Sequence, residues 1–158
     1  MKKLLLSIAL VAFTFAATAQ DGKFNLGVNL GLPTGDVSDF YSFVGSIEAN
    51  YLFDVSEEFQ VGPSASYSHF FGEEGFGDIS FLPLAAAARF NASEQFVLGA
   101  DLGYAIGISP DENDGGFYYR PMVGYNLNDK VMLQVSYSGV SMDGGSFANF
   151  GLGAMFAL

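Results

Sequence analysis

The chain has 158 residues, enough for one domain and little more. Seventeen Asp and Glu against six Lys and Arg give a formal charge of −11, which excludes a nucleic-acid binder with its basic face. Cysteine is absent, so there is neither a disulfide framework to staple a small exported domain nor a thiol to carry a lipid.

Lys2 and Lys3 open the sequence, an apolar run from Leu4 to Ala17 follows, and Ala17-Thr18-Ala19 supplies a small-x-small cleavage site. Charged start, apolar middle and small-residue end define a secretory signal peptide over 1–19, with the mature domain at 20–158. The run is too short to span a bilayer as a helix, which takes about 20 apolar residues. Loss of Lys2 and Lys3 with the leader leaves four basic residues against seventeen acids, a balance of −13.

The first strand is KFNLGVNLGL, Lys23 to Leu32. Phe24, Leu26, Val28, Leu30 and Leu32 share one side, and Lys23, Asn25, Gly27, Asn29 and Gly31 the other. A period of two makes this an extended strand with one strongly apolar face. A turn-rich loop, Pro33 to Asp39, leads to a second strand from Tyr41 to Phe53, with Phe43, Ile47 and Tyr51 opposed to Ser46, Glu48 and Asn50. After a polar turn, Asp54 to Glu58, the third strand runs from Phe59 to Phe71; Pro63 within it predicts a local bulge or irregular pairing. The Gly72–Asp78 loop, GEEGFGD, leads into a fourth strand, Ile79 to Phe90, whose two faces are both fairly apolar.

Asn91 to Glu94 is a tight turn. The fifth strand alternates Phe96, Leu98, Ala100, Leu102, Tyr104, Ile106 and Ile108 with Val97, Gly99, Asp101, Gly103, Ala105 and Gly107. Ser109 to Gly116 forms the longest loop. The sixth strand sets Phe117, Tyr119, Val123 and Tyr125 against Tyr118, Arg120, Met122 and Gly124. A turn at Asn128-Asp129 leads to the seventh strand, with Val131, Leu133, Val135 and Tyr137 on its apolar side. Ser141 to Ser146 reads as the last loop, and an eighth strand runs to Leu158.

Eight two-faced strands with long and short connections in alternation predict an all-β fold, an eight-stranded antiparallel up-and-down transmembrane barrel. The less apolar faces hold mostly Gly, Ser, Ala and Asn, too few charges for the outside of a soluble barrel but well suited to a narrow, filled interior. Small and polar side chains are therefore expected to crowd the middle of the barrel, with lipid against the apolar faces. Aromatic residues near both strand ends, Tyr51, Phe59, Phe96 and Tyr125 at one and Phe43, Tyr67, Phe117 and Tyr137 at the other, read as two interfacial girdles.

In these features the chain resembles the small outer-membrane β-barrels of Gram-negative bacteria, the OmpA/OmpX-like proteins. The resemblance covers Gln20 to Leu158 and rests on pattern rather than a motif; where family members commonly end in an aromatic, this chain ends Phe156-Ala157-Leu158. It implies an outer-membrane location, periplasmic termini, contact with outer-membrane lipids and insertion by the barrel-assembly machinery. It also implies a non-enzymatic structural or surface-interaction role, in envelope integrity or adhesion with an extracellular ligand or surface. A narrow pore or transporter for small solutes or ions is the alternative, and no cofactor is expected.

Glu48, Arg89, Asp101 and Arg120 all fall on interior faces. Isolated buried charges are very costly, so these four are expected to pair in an interior salt-bridge network that fills the barrel or, in the alternative, gates it. The external loops are acidic, and Glu73, Glu74, Asp111, Glu112 and Asp114 offer weak cation binding at most, since the EF-hand spacing fails at Gly115 and Met122. No metal is expected. His69, the one histidine, sits on the opposite strand face from Ser66 and Ser68, the wrong arrangement for a nucleophile and its base.

Overall fold

The structure, a computed structural model, describes residues 22–158. The leader expected over 1–19 and its cleavage after Ala19 lie outside the described residues. Among those described, eight strands form a closed antiparallel barrel in sequence order: β1 (Gly22–Thr34), β2 (Tyr41–Asp54), β3 (Phe59–Gly72), β4 (Ile79–Asn91), β5 (Phe96–Ser109), β6 (Gly116–Asn128), β7 (Val131–Met142) and β8 (Gly145–Ala157). β8 returns to pair with β1 from Asn25↔Ala157 to Thr34↔Ala148, so no strand edge is left open. Closure satisfies the backbone ladder without water, the condition for crossing hydrocarbon with strands. Thirteen residues, the length of β1, extend about 43 Å along the strand. At the usual tilt near 40° that spans the roughly 25 Å apolar band of an outer-membrane barrel with residues to spare at both rims.

The alternation read from the sequence is the alternation of the wall. Leu30 is 68 % exposed and Ile47 61 %, while Glu48 beside it is 5 % exposed. Such a continuous apolar outer surface far exceeds the patches a water-soluble monomer displays, and it faces lipid. The end that holds Gly22 and Ala157 is called the terminal end below, and the opposite one the distal end. Exposed aromatics ring both, with Phe96 and Tyr125 in edge contact at the terminal end (5.2 Å between centroids) and Phe43 stacked on Phe71 at the distal end (4.1 Å).

Three expectations are corrected or narrowed. Pro63 brings irregular pairing rather than a bulge: the β2–β3 ladder lapses at Gly62 and Pro63, between Asn50↔Ser64 and Phe53↔Val61, while β3 keeps one register and Pro63 still pairs with Ala86 on β4. The register shifts fall elsewhere, between Tyr41 and Phe43, Ser80 and Phe81, and Asn126 and Asn128. The expected loop from Ser141 to Ser146 is mostly strand, because Ser141↔Ser146 and Met142↔Gly145 continue the β7–β8 ladder. Only Asp143 and Gly144 remain as the turn, and Gly144 takes the left-handed conformation (φ 96°) that a two-residue reversal requires. Long and short connections therefore do not alternate strictly.

The third correction concerns the lumen. Its distal part is not small and polar. Val44, Phe70, Ile79, Phe81, Ala105, Tyr118 and Val140 are buried there in one cluster, with Tyr41, Met142 and Phe147 packed against it. Phe70, Phe81 and Phe147 meet pairwise at 5.4–6.0 Å with steeply inclined rings, the edge-to-face arrangement that aromatic quadrupoles favour. Tyr41 reaches the cluster because the shift beside it turns an outward-parity residue inward.

Candidate functional site

The interior below the aromatic cluster is where sequence and structure concentrate charge. Strand parity turns Glu48 of β2, Arg89 of β4, Asp101 of β5 and Arg120 of β6 into the lumen, each at most 5 % exposed. Register brings Asp101 directly opposite Arg120 across the β5–β6 ladder. Asp101 accepts a hydrogen bond from Arg89 Nη1 at 2.6 Å and lies 3.0 Å from Arg120 Nε through its other oxygen. Arg120 Nη1 donates to Glu48 across the barrel. The structure thus joins all four predicted residues, two cations and two anions, in one buried chain with no net charge. That neutrality matters because a single unpaired ion there would carry a desolvation cost of several kcal/mol.

Two residues that the sequence reading did not single out extend the chain. Gln134 of β7 donates to Glu48 and, at 2.7 Å, to Asn29 of β1. Side chains from six strands are therefore linked across the lumen. Nearer the terminal end Asn25 donates to Asn50 at 2.8 Å. The visible signal was a polar residue of interior parity on each strand; what strand counting could not supply was their common height.

Along the axis the lumen holds three levels. The aromatic cluster closes the distal end. A void of about 20 Å³, lined by Ser46, Ser66, Ser68, Ser136 and Ser138 beside Arg120, separates it from the charged layer. On the terminal side a cavity of about 820 Å³ with a mixed polar and apolar lining opens outward, bounded among others by Asn25, Asn50, Leu52, Arg89 and Met155, with Lys23 and Lys130 among its rim residues.

The acidic candidates stay apart. Glu73 and Glu74 lie in the β3–β4 connection and Asp111, Glu112 and Asp114 in the β5–β6 connection, all exposed. Among the described residues no three His, Cys, Asp or Glu side chains are grouped to hold a metal ion. The β5–β6 connection is ordered instead by Asn113, whose amide donates to the carbonyls of Ser80 (3.0 Å) and Ser109 (3.3 Å) and whose Oδ1 accepts from Gly115 N–H. Neither ring nitrogen of His69 bonds a serine: they meet Tyr67 Oη at 3.3 Å and Asp78 Oδ2 at 3.1 Å, while Ser66 and Ser68 line the inner void. Asp78 also accepts from Gly72 N–H at 2.9 Å, and that bond, with the one to His69, holds its carboxyl below the usual carboxylate range.

A closed eight-stranded cylinder, apolar outside and crossed inside by a charged layer and an aromatic cluster, with aromatic rings at both rims, defines a transmembrane β-barrel of the outer-membrane type. The chain belongs to the family described as the outer membrane protein beta-barrel domain, whose model matches residues 4–157. That membership sets it in the outer membrane of Gram-negative bacteria. Among solved structures it is similar to Ail, the attachment invasion locus protein of Yersinia pestis, in complex with the heparin analogue sucrose octasulfate (16 % identity, TM-score 0.60, covering 87 % of this chain and 97 % of Ail). It is also similar to the N-terminal β-barrel domain of Pseudomonas aeruginosa OprF (12 % identity, TM-score 0.53, 87 % of this chain and 100 % of that domain). A barrel from the de novo design of transmembrane β-barrels matches as well (12 % identity, TM-score 0.57, 89 % of this chain and 100 % of the design). At these identities the likeness is one of fold. No curated protein matches the chain by sequence.

Proposed function

We propose that this is a non-enzymatic, non-conducting barrel whose role is structural or surface-interacting, in envelope integrity or adhesion. The observation that carries the reading is the double seal of the lumen: the cross-linked charged layer and, beyond it, the packed aromatic cluster. Eight strands enclose an interior just wide enough to be filled by side chains. Two unlike layers fill it here, so a solute would have to displace both.

In this reading the termini are periplasmic and the distal connections meet the outside. The connections Gly35–Phe40, Glu73–Asp78, Pro110–Gly115 and Asp143–Gly144 hold nine acids and no Lys or Arg, a face that stays hydrated and repels polyanions. The heparin analogue in the Ail complex is a polyanion, so that mode of adhesion does not carry over to this chain. Its partners are outer-membrane lipids, the assembly machinery during insertion, and an extracellular ligand of different chemistry.

A narrow pore is the second reading, favoured by the cavity of about 820 Å³ that already hollows the terminal half. Planar-bilayer recording on the refolded protein and its Arg120→Ala variant separates the two. Silent membranes for the parent support the closed barrel, and unitary ion conductance overturns it; channels only in the variant would make the charged layer the gate. Protease accessibility of a tag in the Pro110–Gly115 connection on intact cells tests the orientation.

A further inference from the structure

We infer that His69 and Asp78 form a proton-strengthened clasp that holds two exposed aromatic side chains of the distal connections, Phe40 and Phe76, in place. Asp78 closes the β3–β4 connection on itself: one oxygen takes the N–H of Gly72 at the connection's start (2.9 Å), and the other meets His69 Nε2 (3.1 Å). The connection is in turn tied to the β1–β2 connection. Glu73 N–H donates to the Phe40 carbonyl at 2.9 Å, and the rings of Phe40 and Phe76 lie 4.8 Å apart although both are exposed. One carboxylate therefore anchors a two-loop assembly, and the chain's single imidazole anchors that carboxylate.

The hydrogen bonding survives protonation. A neutral imidazole donates from Nε2 to Asp78 and accepts at Nδ1 from the Tyr67 hydroxyl; a protonated one donates at both, since the hydroxyl oxygen also accepts. Nothing has to break, and what changes is charge. The bond to Asp78 passes from neutral to charge-assisted, which roughly doubles its strength. Because the Asp78 carboxyl is held low by Gly72 and His69, the clasp tightens when a proton is added to the imidazole and loosens only when the carboxylate itself protonates.

The groups facing the imidazole leave little else to titrate. β3 contributes Tyr67 and the Phe71 ring, β2 contributes Gly45 opposite it in the ladder, and β4 contributes Ser80. The remaining charges are Asp78 itself and Glu73 and Glu74 in the same connection, with Tyr41 of β2 within reach of the Asp78 charge. The clasp rests on these side chains alone and holds whichever way the barrel is set in the membrane.

The chain has no tryptophan, so Phe76→Trp supplies a sole indole reporter. The protein would be refolded into lipid nanodiscs, with heat-dependent gel mobility as the folding control, and acrylamide quenching of the indole followed from pH 8 to pH 5. With His69 present, quencher access should fall about threefold over that pH interval, the order expected for a charge-assisted bond replacing a neutral one. It should stay flat in His69→Gln and in Asp78→Asn, which read the clasp from its two sides, so that one folded variant suffices. Amide exchange of 73–78 in the chain without the indole, corrected for intrinsic rates, should slow by the same factor. A flat response with His69 present, or the same response without it, overturns the inference.

Discussion

Replacing Arg120 by Met tests the charged layer most directly. Met fills much of the arginine stem's space, so the change removes charge rather than bulk. Its two acceptors lose unequally. Asp101 keeps Arg89 at 2.6 Å and remains neutralised, whereas Glu48 keeps only the neutral amide of Gln134. One buried carboxylate is thus left without a cation, which costs about 3–5 kcal/mol. Replacing Glu48 by Gln in the same chain removes that carboxylate and leaves the Arg89–Asp101 pair intact. The double variant should therefore recover most of the loss, a coupling of about 2 kcal/mol or more between two side chains in direct contact. Reversible urea unfolding in lipid vesicles, followed by circular dichroism, measures both numbers. A loss below about 1 kcal/mol for Arg120→Met, or a double variant no more stable than the single, would refute the view that mutual neutralisation holds this layer together.

Phe81→Ala, at a side chain with no exposed surface, should cost about 3–5 kcal/mol in the same assay by opening the aromatic cluster. Gly103→Ala places a methyl 2.0 Å from the Leu84 carbonyl oxygen and 2.5 Å from Ala85 Cα, backbone that cannot swing aside, and should cost about 1–3 kcal/mol. Gly45→Ala, where the new methyl meets only the Phe71 ring at 3.6 Å, should stay within about 0.5 kcal/mol and serves as its control. Leu30→Arg on the outer face should cost about 2–4 kcal/mol in vesicles, and a loss near zero there would place Leu30 away from hydrocarbon.

The wall of the barrel was legible because parity is a local property. Whether Ile47 or Glu48 faces out follows from its neighbours alone, and the pattern of one strand fixes both faces at once. The membership of the charged layer was legible for the same reason, since Glu48, Arg89, Asp101 and Arg120 stand out among small interior residues. Height along the axis is not local. It depends on the stagger of all eight strands, so the link from Gln134 to both Glu48 and Asn29 needed the assembled ladder. The aromatic cluster hid behind three local anomalies. Phe81 sat on a strand apolar on both faces, Tyr41 was moved inward by a register shift, and Phe147 adjoined a segment that composition assigned to a loop. Ser141 to Ser146 misled because serine and glycine favour turns, yet neighbouring backbone supplied ladder partners for all but the two central residues.

The chain of contacts from Asn29 through Gln134, Glu48, Arg120 and Asp101 to Arg89 joins partners up to 105 positions apart. The β4–β5 hairpin neutralises Arg89 with Asp101 by itself, but Glu48 of β2 and Arg120 of β6 meet only across the closed lumen. A nascent form lying in the bilayer with β1 and β7 still separated would leave polar groups bare in oil, while the finished cylinder leaves none of the four ions alone. Entry into the membrane and the meeting of the first and last strands are therefore coupled events, and the lumen chemistry makes assembly close to all-or-none.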